Sequence, residues 1–357
     1  MLTTDTDGHR PRVLVVGNHC HDVLDHGVVK AESLGGAAAF ISNVFQGLSI
    51  SFHLVSKVGG DFRYPASASY PPIVVPSGQT TSFHACFRKK LPDAHSDRVL
   101  RRVTACDPIK PEDLPEGSWF DFGMAVGVGG EVLPETLERM LDICGVVFAD
   151  IQAMIRDFEE QSGTVRHLHL KQSGFNHLLP RIGGIKASSE EAAYVDVDDA
   201  SRSGCCVVVT TGSKGCQVHW KGGTIPVPPF TATEVDPTGA GDSFLGGFVS
   251  GLVHGLCVPD AALLGNLFGS LAVQQVGLPV FDSQFLQKIR EEIRKRKSEY
   301  QFCEGEDTTL EFMEQEGHEQ FHDFLQAAAR HAYAQVEDHK LEGRSATDMV
   351  NGTVTHL

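Results

Sequence analysis

Between Asp236 and Asp242 the chain reads Asp-Pro-Thr-Gly-Ala-Gly-Asp and then runs directly into an apolar stretch, SFLGGFVSGLVHG, with the pattern of a buried helix. Small residues at Gly239, Ala240 and Gly241 let the backbone N–H groups of a helix N-terminus come close to an anion, and the helix dipole favours negative charge there. This is a candidate phosphate cradle. Asp242 falls in the same first turn, where a carboxylate is a good helix cap. Beside an anion hole it can also take the proton from an attacking hydroxyl. A bare GxGD run leaves both roles open.

Other polar positions stand out more weakly. Residues 182–193 (IGGIKASSEEAA) read as a strand followed by a helix, and the spacing of Ser188 or Ser189 with Glu191 is that of a capping box. Thr210 to Cys216 (TTGSKGC) follows the apolar strand CCVVVT and reads as a β-turn that uses two glycines. Asp22 can end a strand, Gly35 and Gly36 can form a loop before a helix, and Asn43 lies mid-helix, where Asn has mediocre propensity. Asn266 is a polar break in an otherwise apolar helix. His19 and His21, like His167 and His169, have i, i+2 spacing without a convincing third ligand, so no zinc site is expected. The GxxxxGK[ST] phosphate loop and a strand-linked GxGxxG are both missing from the sequence.

Short Val-rich runs at 13–16, 52–58, 120–126, 146–149 and 206–210 alternate with helix candidates at 37–48 and 133–143. Strands buried on both faces of a mostly parallel sheet look like this, and the alternation predicts a doubly wound α/β core. Two long apolar helices, 240–254 and 259–276, follow the last strands. Residues 22–33 and 79–103 alternate as β-prone segments without helices between them, which predicts a small antiparallel lid over one edge of the core. We divide the chain into a flexible start (1–11), a core (12–297) with the two lid segments, and an acidic tail (298–357). Within the tail a helix at 321–336 is expected to be peripheral, and 342–357 disordered.

With 30 Lys and Arg against 46 Asp and Glu, the chain carries a formal charge of −16, which disfavours nucleic acid as a partner. The single basic run, 290–297 (REEIRKRK), reads as a solvated helix face. None of the nine cysteines forms a CxxC pair, and Cys205 and Cys206 lie in an apolar strand, so reduced core thiols in a cytoplasmic protein are expected. No stretch approaches the length of a membrane span, so no membrane partner is expected.

Taken together, the DPTGAGDSFLGGF segment (236–248), the strand at 13–16 leading through Gly17 to Asp22, the pair Gly35-Gly36, Asn43 and the run SKVGGDF (56–62) fall in the order found in the PfkB (ribokinase-like) kinases, which this chain resembles over about 12–280. The resemblance implies a ribokinase-like fold with a small β lid, ATP and Mg2+ as cofactors, and Asp242 as the base that activates a substrate hydroxyl. It further implies that Asp22 and Asn43 bind acceptor hydroxyls and that Gly35-Gly36 is the hinge of the lid. Thr211, Gly212, Ser213, Gly215 and Asn266 would line the nucleotide site. The family's Asn-x-x-Glu motif survives in Glu191, which would order magnesium through water, while Ser188 replaces its Asn and is left to meet the ATP phosphates. Within the family the wording of VLVVGNHCHDVL (13–24), AESLGGAAAFISNV (31–44), VVFADIQAMIR (146–156) and IKASSEEAAYVDVD (185–198) is similar to the plant inositol 3-kinase branch. That implies myo-inositol as the small-molecule substrate, in a monomer or homodimer. Another sugar or nucleoside acceptor, or a PfkB-like regulatory protein without activity, are the alternatives.

Overall fold

The computed structural model describes residues 11–25, 30–65, 70–87, 98–300, 312–330 and 332. Most of 1–11, the tip of each lid segment, part of the Pro- and Ser-rich stretch at 64–76, and the tail end at 342–357 therefore lie outside the described residues.

Eight strands form the central sheet: β1 (Val13–Val16), β4 (Phe52–Val55), β9 (Phe120–Ala125), β10 (Cys144–Asp150), β13 (Gly184–Ser188), β14 (Cys206–Thr210), β15 (Cys216–Trp220) and β16 (Gly223–Val227). Their order is β16-β15-β14-β13-β10-β9-β1-β4, and the six from β14 to β4 run parallel, with β15 and β16 antiparallel at one edge. Alternation on β1 shows why the sheet is buried on both sides. Val13 and Val15 join one core with α1 (Ala37–Gly47), α5 (Ala240–Val253), α6 (Val258–Ala272) and α7 (Ser283–Glu299). Leu14 and Val16 join a second core with α2 (Pro134–Ile143) and the short α4 (Val197–Arg202). Two-sided burial makes the strands read as continuous apolar runs.

The lid is a separate four-stranded sheet in the order β3-β2-β7-β8, made by β2 (Cys20–Asp25), β3 (Lys30–Gly35), β7 (Ser82–Phe87) and β8 (Arg98–Thr104). It is mixed rather than antiparallel throughout, because β2 and β7 pair in parallel. A helix and a core strand separate the two in sequence, and such a crossover returns the chain in the same direction. Between them, β5 (Lys57–Gly59) pairs with β6 (Ile73–Val75), so part of the Pro- and Ser-rich stretch is ordered strand. A second small pair, β11 (Arg156–Phe158) with β12 (Val165–His167), touches β8 through a bridge between Arg101 and Thr164. The short α3 (Gln152–Ile155) precedes it.

Two further expectations are corrected. The basic run at 290–297 is not simply a solvated face. Arg296 is only 1% exposed, with its Nε 2.7 Å from Asp260 Oδ2, and Arg290 donates to the carbonyl of Gly47. Nor is the tail peripheral over 312–330: Phe321, Leu325 and Ala329 join the core that covers α7. Arg296 donates to the carbonyls of Gln315 and Glu316, and Asp260 is bonded by His318 Nδ1 at 2.5 Å and by Tyr300 at 2.7 Å. A buried cation with its carboxylate and carbonyl partners thus fixes this segment in place.

Candidate active site

The sharp entry into α5 is set by its sequence. Asp236 is fully buried, and its Oδ1 accepts the N–H of Thr238 at 2.9 Å. Gly239 then takes φ 75°, a left-handed conformation that suits glycine, and α5 starts at Ala240. First-turn amides have no carbonyl partner within the helix, the geometry that lets a helix start meet an anion, and that of Ala240 bonds the Pro237 carbonyl at 3.3 Å. Asp242 lies half-buried in that turn.

Close approach explains Gly241. A Cβ there would come 2.8 Å from Nζ of Lys186, so a buried ammonium lies against the first turn of α5. Lys186 and Asp150 face each other on the neighbouring strands β13 and β10, with Nζ 2.9 Å from Oδ2. Gln152 follows: its backbone N–H donates to Asp150 Oδ1, and its side-chain amide donates to Asp242 Oδ1 at 3.4 Å. Glu191 and Ser188 form the reciprocal box that their spacing predicts, with Ser188 N–H to Glu191 Oε2 at 2.8 Å and Glu191 N–H to Ser188 Oγ at 3.2 Å. What they cap is a 3-10 turn, Glu191–Tyr194, and not the α-helix expected.

These charges lean on one another. Burial alone would strip the proton from Lys186, but the carboxylates of Asp150, Glu191 and Asp242 outweigh it and hold the ammonium charged. Burial would likewise raise Glu191, yet Lys186 and Arg156 overcome it and set its carboxyl at about 2. Asp150, fully buried, is pushed up to about 6 against the pull of Lys186. One cation thus serves three carboxylates at the C-terminal edge of the parallel sheet, where open α/β sheets bind their ligands.

Beneath the lid, the Asp22 carboxylate folds over Gly35 so closely that a Cβ on Gly35 would overlap it. Gly36, at φ 90°, turns the chain from β3 into α1 against the carbonyl of Asn18. The same stretch is held by Glu131, which accepts N–H groups from Asn18, Val128 and Gly129. Burial raises the Cys20 thiol, and the negative charges of Asp22, Glu131 and Asp242 add to the shift against the pull of Arg156. Asn43 donates from Nδ2 to the carbonyl of Pro279 at 2.7 Å and joins α1 to the loop after α6.

Thr211, Gly212, Ser213 and Gly215 form the turn between β14 and β15, with Gly212 and Ser213 exposed. Thr211 closes it by donating both N–H and hydroxyl to the carbonyl of Gly215. This turn adjoins the Ser188 and Glu191 box, because Ser188 pairs with Thr210 and Ser189 N–H bonds the Thr210 carbonyl. Asn266 does not face solvent. It is buried, and its amide holds the carbonyls of Val227 and Pro228.

Lys186, Asp150 and Gln152 escaped the sequence reading. For Lys186 and Asp150 the signal was a charge near the C-terminal end of an apolar strand, as in FAD at 148–150 and IKAS at 185–188; Gln152, uncharged, carried none.

Comparison with known proteins agrees with this architecture. The family model described as pfkB family carbohydrate kinase matches residues 187–281. An inositol 3-kinase of Arabidopsis thaliana is 55% identical over 89% of this chain and 87% of its own length. An inositol 3-kinase of Oryza sativa subsp. japonica is 50% identical over 96% of this chain and 87% of its own. Among solved structures, a pyrophosphate-dependent kinase in the ribokinase family, complexed with a pyrophosphate analog and myo-inositol, aligns at TM-score 0.60 and 16% identity, over 79% of this chain and 99% of that one. The doubly wound sheet and its β lid have the ribokinase-like fold, and the family match with the two relatives makes the chain a kinase. The chain belongs to the pfkB family of carbohydrate kinases. No helix among the described residues is long and apolar enough to cross a membrane.

Proposed function

We propose that this protein transfers the γ-phosphate of ATP to a hydroxyl of myo-inositol, the 3-hydroxyl by analogy with its relatives, and that it works in the cytoplasm. The observation that carries the acceptor is the identity of 50% and more, across most of the chain, to two plant inositol 3-kinases. A ring of hydroxyls needs several fixed polar partners, since an unpaired buried polar group costs about 1–3 kcal/mol. We assign Asp22 and Asn43 to that task.

In this reading Asp242 accepts the proton of the attacking hydroxyl, and Gln152 orients it through Oδ1. The first-turn amides of Gly239, Ala240, Gly241 and Asp242 offset the charge that develops on the transferred group. Lys186 adds a positive charge that needs no rearrangement, because Asp150 already fixes it. Thr211, Gly212, Ser213, Gly215, Ser188 and Asn266 border the nucleotide. The oxygen donors here fit a hard divalent cation, and Glu191, ionised and held by Ser188, is the residue we assign to magnesium through water. Magnesium held there would supply positive charge that offsets the phosphate charge opposing in-line attack.

A panel of acceptors tests the reading: myo-inositol, other inositols, fructose, ribose and adenosine, each with ATP and magnesium, following ADP release. Myo-inositol should give the highest kcat/KM. A sugar or nucleoside used about tenfold better would replace the substrate while keeping the mechanism, and no turnover of any acceptor would favour a regulatory protein.

A further inference from the structure

We propose that the outer face of the lid carries a binding site for a borderline-soft divalent cation of the Zn2+ class, formed by Asp25, His84 and Cys86. The strand register brings them together. Asp25 on β2 lies directly opposite Cys86 on β7, and His84, two residues before Cys86, faces the same side. Asp22, Leu24, Phe83 and Ala85 occupy the alternate positions, with Leu24, Phe83 and Ala85 buried, so the three ligand residues look away from the core.

Distances favour a tetrahedral ion. Nε2 of His84 is 3.4 Å from Oδ2 of Asp25 and 3.7 Å from Sγ of Cys86, and all three ligand atoms lie within 4.8 Å of one another. Bond lengths of about 2.0–2.3 Å around a tetrahedral zinc give edges of roughly 3.3–3.6 Å between ligand atoms. The two edges that meet at His84 are close to these values, and the third pair, Asp25 and Cys86, lies within 4.8 Å, a gap that side-chain rotation can close. An imidazole, a thiolate and a carboxylate select zinc-like ions over magnesium or calcium, which take oxygen ligands.

Access is also present. The side chains of His84 and Asp25 are 32% and 18% exposed, which leaves a fourth position for water. The other seven described cysteines are buried, whereas Cys86 is half-buried and opens onto this face. Lys30 holds Asp25 Oδ2 at 3.1 Å, but it is 63% exposed and can swing into solvent when a cation takes its place. Binding releases the Cys86 thiol proton to water. The ion would tie β2 to β7 three residues along from Asp22, on the opposite face of the strand.

The test uses the full chain with Cys303, which lies outside the described residues, changed to Ser. Zn2+ is titrated into metal-free protein against a chromophoric chelator, and Co2+ is followed by its absorption spectrum. We expect one equivalent of Zn2+ at micromolar affinity or tighter, unaffected by excess Mg2+, and a thiolate-to-cobalt charge-transfer band. Cys86→Ser and, separately, His84→Ala should each weaken binding by more than the ~10-fold that losing an outer-shell partner already costs. Cys86→Ser should also abolish the band. Absence of a stoichiometric site below millimolar Zn2+ would overturn the proposal, as would affinity and spectrum unchanged by Cys86→Ser. Cys86→Ser is conservative and half-buried, so the result does not depend on a variant that fails to fold.

Discussion

At the scale of single residues, the question is whether Lys186 serves the reaction or only the fold. Its ammonium touches Asp150 and lies against the first turn of α5, so removing it leaves a fully buried carboxylate unpaired. Lys186→Met should therefore lower the melting temperature and also reduce kcat by ~10²–10³, the scale of losing one preorganised charge-stabilising group. Adding Asp150→Asn separates the two effects: stability should recover, and turnover should not. Recovery of both would make Lys186 purely structural. Gly35→Ala probes the acceptor side. A methyl there displaces the Asp22 carboxylate, so the KM for acceptor should rise about tenfold while the KM for ATP stays within a factor of about two, a split readable by steady-state kinetics. The DPTGAGD run was legible because its local pattern needs only neighbours in sequence. Lys186 and Asp150 were not, since 36 residues separate them and only the pairing of β10 with β13 joins them.

Elements were easiest to read where one face or one period dominates. The strands at 13–16 and 206–210 coincide with their predicted bounds, and α1 and α2 differ from theirs by a residue at one end. The helix expected at 259–276 stops earlier, at Ala272, because the apolar run continues into a turn with Gly277 at φ 77°. Direction within the lid was harder: alternation marks a strand but carries no information on whether its partner runs parallel. In the tail helix, acidic surroundings mask the i, i+4, i+8 stripe of Phe321, Leu325 and Ala329 that docks it on the core. Burial of a Phe or Leu side chain contributes roughly 1.5–3 kcal/mol. Phe321→Ala should therefore destabilise the protein by about 3–5 kcal/mol in chemical denaturation, whereas a peripheral tail would give a change near zero.

Across the whole molecule, the parallel sheet sets the C-terminal ends of β10 and β13 beside the start of α5, and the lid strand β2 that carries Asp22 follows the C-terminal end of β1 at the same edge of the sheet. Doubly wound topology was legible from the βαβ rhythm. Acceptor identity was not, because ribose, fructose and inositol ask for the same residue types, and only similarity over nearly the full chain separates them. We propose that this scaffold moves phosphate from ATP to myo-inositol with Asp242 as the base. The most direct measurement is a single-turnover transfer from ATP labelled in the γ-phosphate, with product identified by chromatography, for the parent chain and Asp242→Asn in parallel. Labelled inositol monophosphate should form with the parent, and the variant should bind ATP with unchanged affinity while transferring ~10²–10⁴ times more slowly. Transfer by Asp242→Asn within about threefold of the parent rate would contradict the account.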